Sequence, residues 1–333
     1  MLTESIINDE RKVTSMRTLS YLNSSEFYVA TSSIFELLEQ INTWLIMGVC
    51  GAMIYGRARI GKTTAISYIV DALHLRYGEA FPVITWSLTE HALSTKDKTF
   101  YANILDALGL DITAYKRVTA LELKNKVINY FAIKAAATPF RKIVLMIDEA
   151  YKLDYREYFW LMDIYNSLNT KYAIQLTVFL VGTPHEMIDM RNAFKAEKQL
   201  QIVERFMLND FVFHGICNPM QISLCLAELD KTTVQTSASY KCSLAEFYFP
   251  DAYKENHAFF VDLSQDYWDS FEETKVRYGI KAKDIPMQYF MQSFILCLST
   301  YGAGGIKEQY FLTKEAIAMA IEETGYGKTT ENC

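Results

Sequence analysis

Cysteine and histidine are scarce in this chain, six and five among 333 residues, and neither is arranged for chemistry. Cys50, Cys217, Cys225, Cys242, Cys297 and Cys333 contain no C-x-x-C pair and no regular spacing. That excludes a zinc-ligand pattern or a disulfide framework and predicts free thiols in a reducing compartment. The histidines are scattered, and His91 and His214 read as satisfying local hydrogen bonds. There is no catalytic-triad pattern, no dinucleotide-binding glycine fingerprint and no internal repeat. The first residues lack the apolar stretch of a signal peptide. The longest apolar run, Trp44 to Tyr55, is too short to cross a bilayer. These absences predict a cytoplasmic protein with no membrane partner. Cations are not in excess either: 33 Lys and Arg against 39 Asp and Glu give a net charge of −6, with no basic tail. Any contact with nucleic acid therefore needs a local basic surface.

What is present is apolar bulk and one glycine loop. Half of the residues are hydrophobic, enough for one large core or a core with a smaller lid domain. Aromatic residues make up 14%, many of them after residue 247, which points to an aromatic surface or a second small core. The segment Gly56-Arg57-Ala58-Arg59-Ile60-Gly61-Lys62-Thr63-Thr64 matches the phosphate-binding pattern G-x-x-x-x-G-K-[ST]. It follows an apolar run ending at Tyr55 and precedes a stretch of helical periodicity, so it reads as a strand, loop and helix. In such a loop, successive N–H groups and the helix N-terminus attract phosphate oxygens. Lys62 is expected to reach the β- and γ-phosphates of ATP and the Thr63 hydroxyl to bind Mg²⁺. Arg59 stands where many such loops carry glycine, and an arginine resists positive φ. Arg57 and Arg59 add two cations that can serve a phosphate, a neighbouring subunit or nucleic acid.

Taken in order, residues 1–26 are polar and read as an N-terminal arm. Ser33 with Glu36 suggests a capping box for a helix from Ile34 to Leu45. Residues 82–88 read as a strand, Phe100 to Leu108 as a helix closed by Gly109, and Ala120 to Ala137 as a helix capped by Thr119. Lys142 to Ala150 is an apolar strand ending in Asp148 and Glu149, the Walker B pattern. Asp148 is expected to hold Mg²⁺ and Glu149 to polarise the attacking water. A helix from Tyr155 to Asn169 and a buried strand from Gln175 follow, ending in Gly182-Thr183-Pro184. Thr183 is placed to sense the γ-phosphate. Arg205, before the short strand Phe211-Val212-Phe213, is the first choice for an arginine acting across a subunit interface, and Arg191 the second. Alternating strands and helices predict an α/β fold with a mainly parallel sheet covered by helices on both faces. The core that carries the glycine loop is set at 27–215, and 216–333 is read as a mostly helical lid with an aromatic-rich insertion. There Gly304-Gly305 positions Lys307 as a possible second nucleotide-sensing cation.

The ordered set Gly56–Thr64, Ile143–Ala150, Val178–Pro184 and Glu204–Phe206 resembles an AAA+ ATPase, and more narrowly the TnsC/TniB regulators of DNA transposition, including those of CRISPR-associated transposons. The resemblance spans roughly residues 30–215. It implies ATP and Mg²⁺ as ligands, slow hydrolysis, and assembly of a ring or helical filament on double-stranded DNA. It further implies partners: transposase subunits and a TniQ-type targeting adaptor. Phosphate contacts need cations but little sequence information, and Lys96, Lys98, Lys116, Arg117, Lys124 and Lys126 are the candidates. A DNA motor or helicase loader, and a nucleotide-gated scaffold that never touches DNA, are the alternatives.

Overall fold

A computed structural model of the chain describes residues 2–24, 26–88, 96–111, 117–236 and 240–328. Among these the strands are β1 (Gly51–Tyr55), β2 (Val83–Ser87), β3 (Lys142–Asp148), β4 (Gln175–Gly182), β5 (Asn209–Val212), β6 (Thr233–Gln235) and β7 (Lys241–Ser243). The helices begin with α1 (Leu2–Leu22), α2 (Ser32–Met47), α3 (Lys62–Tyr77), α4 (Asp97–Ala107) and α5 (Ala120–Ala136). They continue with α6 (Tyr155–Tyr172), α7 (Pro184–Ala196), α8 (Leu200–Ile202), α9 (Pro219–Lys231), α10 (Leu244–Tyr248) and α11 (Pro250–Asn256). The last are α12 (Ser264–Tyr278), α13 (Met287–Tyr301) and α14 (Lys314–Glu323). No described helix is long and apolar enough to cross a membrane. Contacts divide the chain into two units. A sheet unit holds Glu36–Ala58 and Ala65–Phe213; a helical unit holds the residues up to Phe35, Arg59–Thr64, and those from His214 onward.

The sheet unit is the expected α/β layer. Its five strands are all parallel, in the order β2-β3-β4-β1-β5. Strands buried on both faces need largely apolar runs; Ile143 to Ile147 supply one, and Leu176 to Val181 another broken only by Thr177, whose hydroxyl donates to the Val49 carbonyl, every residue buried. Alternation sends Ile143, Leu145, Ile147, Val178 and Leu180 into a core with Phe100, Phe131, Tyr158 and Leu161 of α4, α5 and α6. Phe179 points the other way, and its ring lies 5.8 Å from Trp44 of α2. β4 runs between the strand of the glycine loop and the strand ending in Asp148. Thr119 caps α5 as expected, in a box with Glu122. At α2 the expected box does not form: Thr31 accepts the Ile34 N–H at 3.3 Å, so the helix starts earlier, at Ser32, and Ser33 becomes part of its first turn.

The helical unit departs further from expectation. The segment read as an arm contains helix α1, because Leu22 at its end is buried in the helical core and Arg11 donates to the Phe247 carbonyl at 2.7 Å. The aromatic block is a core: Phe249 and Phe260 meet Phe311, and Phe260 meets Phe294 at 4.9 Å. Strand β6 pairs antiparallel with β7. Near the start of the segment from His214 onward, Gly215 leaves room for the Ile285 carbonyl, which a Cβ would meet at 2.3 Å. The bridge between Ile216 and Ile285 and a 2.8 Å bond from the Gly215 N–H to Asp284 tie residues 284–285 to 215–216.

Candidate nucleotide-binding site

In an open parallel sheet, ligands sit beyond the carboxyl ends of the strands, where the strand order reverses. Here β1 connects to β2 in one direction across the sheet and β4 to β5 in the other, so the reversal falls between β1 and β4. The carboxyl ends of β1, β4 and β3 carry Gly56, Thr183 and Asp148. The Gly56 N–H donates to the Gly182 carbonyl at 3.2 Å, which locks the start of the glycine loop to the tip of β4. Asp148 lies two strands from β1, about 10 Å at ordinary strand spacing.

The loop leaves β1 at Gly56 and enters α3 at Lys62, whose side chain is buried. Gly61 has φ +101, a conformation that requires glycine. Arg59 has φ +63, so it adopts the left-handed bend despite its side chain, at a cost of roughly 1–2 kcal/mol. Its guanidinium donates to the Tyr289 hydroxyl, its charge lies 5.5 Å from the Tyr289 ring centroid, and its carbonyl accepts the Gln288 N–H at 3.1 Å. Arg57 is half-buried, Ile60 is buried, and Thr63 and Thr64 are exposed at the start of α3.

At the tip of β3, Asp148 is buried and accepts the Glu149 N–H at 3.0 Å. Glu149 also has a left-handed backbone, φ +58, which turns the chain sharply out of the strand. Its carboxylate accepts the Tyr151 hydroxyl and lies 3.5 Å from the Lys152 ammonium. Burial first, and then this hydrogen bond, push the Tyr151 hydroxyl well above the usual phenol range. Tyr151 donates this hydrogen bond as the protonated phenol. Thr183 is the N-cap residue of α7, and its hydroxyl donates to Glu186.

The two interface candidates differ. Arg205 precedes β5, at the sheet edge opposite the strand tips, because β5 runs parallel to β1 and starts only at Asn209. An arginine there cannot reach a nucleotide at the carboxyl edge of its own sheet. Its guanidinium donates to Asn166 at 2.6 Å and covers the Tyr165 ring at 4.7 Å. Arg191 is held by Asp210 at 3.0 Å, and Asp210 also accepts the Tyr55 hydroxyl. Lys307 is exposed on the loop after α13, with its N–H bonded to Thr300. Of the cations considered for DNA, Lys96 and Lys98 flank the start of α4, and Arg117 and Lys126 are exposed near the start of α5. Lys124 is committed to an ion pair with Asp163 at 2.9 Å. Lys116 lies outside the described residues. Among the described residues, no cluster of three or more metal-ligating side chains exists. A hydroxyl such as that of Thr63 and a carboxylate such as that of Asp148 are the oxygen donor types that Mg²⁺ takes, the ion keeping most of its waters.

Comparison with known proteins agrees with this geometry. Residues 51–190 match the family model described as an AAA domain, AAA_22. The ORC2 protein of Aeropyrum pernix in its ADP form is similar in structure, with 12% identity and a TM-score of 0.57 over 89% of this chain and 69% of that one. The Aeropyrum pernix ORC1 protein in complex with DNA gives 10% identity and a TM-score of 0.51, covering 89% of this chain and 66% of that one. Drosophila ORC bound to DNA gives 15% and 0.50, covering 95% and 66%.

The fold is that of the ORC proteins, with an AAA domain matched over residues 51–190.

The chain spans about two thirds of the length of these AAA+ chains. No curated protein sequence matches it. None of the structures named here is a transposition regulator. Sequence reading missed the residues that contact the candidate site residues: Tyr151 on Glu149, Tyr165 and Asn166 on Arg205, Tyr289 on Arg59. Tyr151 stands two residues from its partner and was open to a local reading. Tyr289 stands 230 residues from Arg59, and nothing in a local motif points to it.

Proposed function

We propose that the chain is a Mg²⁺-dependent ATPase whose nucleotide state controls its association with DNA. The observation that carries the reading is the sheet order: β4, ending in Thr183, lies between the glycine-loop strand and the Asp148-Glu149 strand. That order supports a polar tip lying between the glycine-loop strand and the two carboxylates. Lys62 and the loop N–H groups bind the phosphates, and Thr63 and Asp148 hold Mg²⁺. The ion would neutralise charge on the β- and γ-oxygens. Glu149 takes a proton from the attacking water, and Tyr151 fixes its carboxylate. Thr183 registers the γ-phosphate. Arg205, turned away from its own site, completes a neighbour's. Each site is then finished only by assembly, which makes a homo-oligomer part of the mechanism.

DNA is the proposed polymer because structural relatives are recorded bound to it. Lys96, Lys98, Arg117 and Lys126 supply weak phosphate contacts that add up when repeated along an assembly. The motif resemblance carries a narrower reading, in which this assembly links target choice by a TniQ-type adaptor to transposase subunits.

The test is electron microscopy of the full chain with linear duplex DNA, with and without a slowly hydrolysed ATP analogue. Rings or filaments on DNA only with nucleotide are expected. Glu149→Gln is expected to give the same assemblies with ATP itself, and Lys62→Ala none. Monomers in every condition would overturn the reading. Co-sedimentation with transposase and adaptor then tests the narrower one.

A further inference from the structure

The glycine loop and helix α13 each lack something that the other supplies. Arg59 holds a left-handed bend in which its own Cβ crowds the following carbonyl. Helix α13 begins after Pro286, an N-cap residue with no side-chain hydrogen bond to the first turn. The first N–H groups of a helix have no partner within it. The Arg59 carbonyl accepts one of them, that of Gln288, at 3.1 Å. In return the next residue of the helix, Tyr289, takes the Arg59 guanidinium on its hydroxyl and under its ring face. Tyr289 is itself fixed: it is buried, with its ring 5.2 Å from that of Tyr326, which packs 5.3 Å from Phe271 of α12.

We propose that Arg59 and Tyr289 are a positioning pair: helix α13 clasps the loop in its phosphate-binding shape, and Arg59 acts through this clasp rather than as a phosphate ligand. The inference rests on the nucleotide-binding reading and adds its control. Affinity for nucleotide is set from the helical unit, and any event that displaces the start of α13 releases the loop.

The two roles for Arg59 predict opposite signs in one experiment. Binding of a fluorescent ADP analogue with Mg²⁺ is measured by titration for the full chain, Tyr289→Leu, Tyr289→Phe, and the double variant Tyr289→Leu/Arg59→Gly. Tyr289→Leu is expected to weaken binding about tenfold. Tyr289→Phe keeps the ring and its packing and loses only the hydroxyl, and is expected to weaken binding about threefold. Glycine adopts positive φ without a clasp, so the double variant is expected to bind more tightly than Tyr289→Leu alone. A helical unit that merely loosened would not be rescued by a change in the loop. A double variant as weak as Tyr289→Leu, or weaker, overturns the clasp and makes Arg59 a phosphate ligand. Unchanged binding by both Tyr289 variants also overturns it. If the parent chain binds no nucleotide, the nucleotide reading itself falls and the clasp with it.

Discussion

Glu157 shows how one side chain carries a pH dependence. It sits in the first turn of α6 with no exposed surface; one carboxylate oxygen accepts the Asp154 N–H at 2.7 Å, and the other is buried without a partner. Burial is the main cause that pushes its carboxyl up to about 7. The neutral form is therefore the one that the fold favours. Its stabilising contribution is complete below the ordinary carboxylate range, near 4.5, and is lost as pH rises through about 7. Glu157→Gln keeps an acceptor for Asp154 and cannot ionise. The melting temperature of the parent should fall relative to this variant between pH 5 and pH 8, by roughly 2–4 °C, as read by differential scanning fluorimetry. Parallel curves would show that Glu157 stays charged. At the same scale, Arg59 and Glu149 are left-handed residues with large side chains, and each has its side chain engaged by a tyrosine. Positive φ in a non-glycine residue is costly and persists where surroundings enforce it. The sequence could flag Arg59 as an anomaly but not name Tyr289, since that partner comes from the other end of the chain.

Among the elements, β1 has little freedom. It lies between β4 and β5, its five residues are all buried, and Gly51 begins it. A Cβ on Gly51 would meet the Val178 carbonyl at 2.7 Å and the Phe206 Cα at 3.0 Å, both backbone atoms. Gly51→Ala should destabilise the sheet unit by about 1–3 kcal/mol through overpacking, seen as an earlier urea transition at unchanged nucleotide chemistry. A neutral result would mean that the strands separate more easily than their packing implies. The strands and most helices of the sheet unit were legible because apolar runs and caps are local signals: β3 carries an unbroken hydrophobic run and β4 one broken only by Thr177, and Thr119 and Gly109 mark helix ends. The helical unit was not. Spacing of Phe247, Phe249, Phe260 and Phe294 is the same whether aromatics face solvent or each other, and only their mutual contacts decide. Helix α1 was missed because its described buried contacts lie at its far end, around Leu22, leaving little periodicity to read.

For the molecule as a whole, the position of Arg205 makes a prediction about numbers of subunits. Tyr165 and Asn166 hold its guanidinium at the sheet edge away from the strand tips. A lone protomer should therefore hydrolyse ATP poorly, with turnover per chain rising with protein concentration. Glu149→Gln and Arg205→Ala should each be inactive alone. Mixed in equal amounts they should recover a measurable share of parent activity, because some interfaces pair an intact Glu149 with an intact arginine. Absence of recovery, with both variants folded and oligomeric, would return the arginine role to Arg191 or remove it. The net charge of −6 adds a second constraint: DNA binding should be weak for a monomer, and that of the assembled form should fall as salt rises.

The division of contacts has a practical consequence for anyone who shortens this protein. The six residues Arg59–Thr64 belong by contact with a unit whose other members lie up to Phe35 and beyond His214. The sequence that carries every recognised motif is therefore not a portable module. A fragment ending before His214 keeps the glycine loop, both acids and Arg205, yet leaves the bend at Arg59 with nothing to lean on.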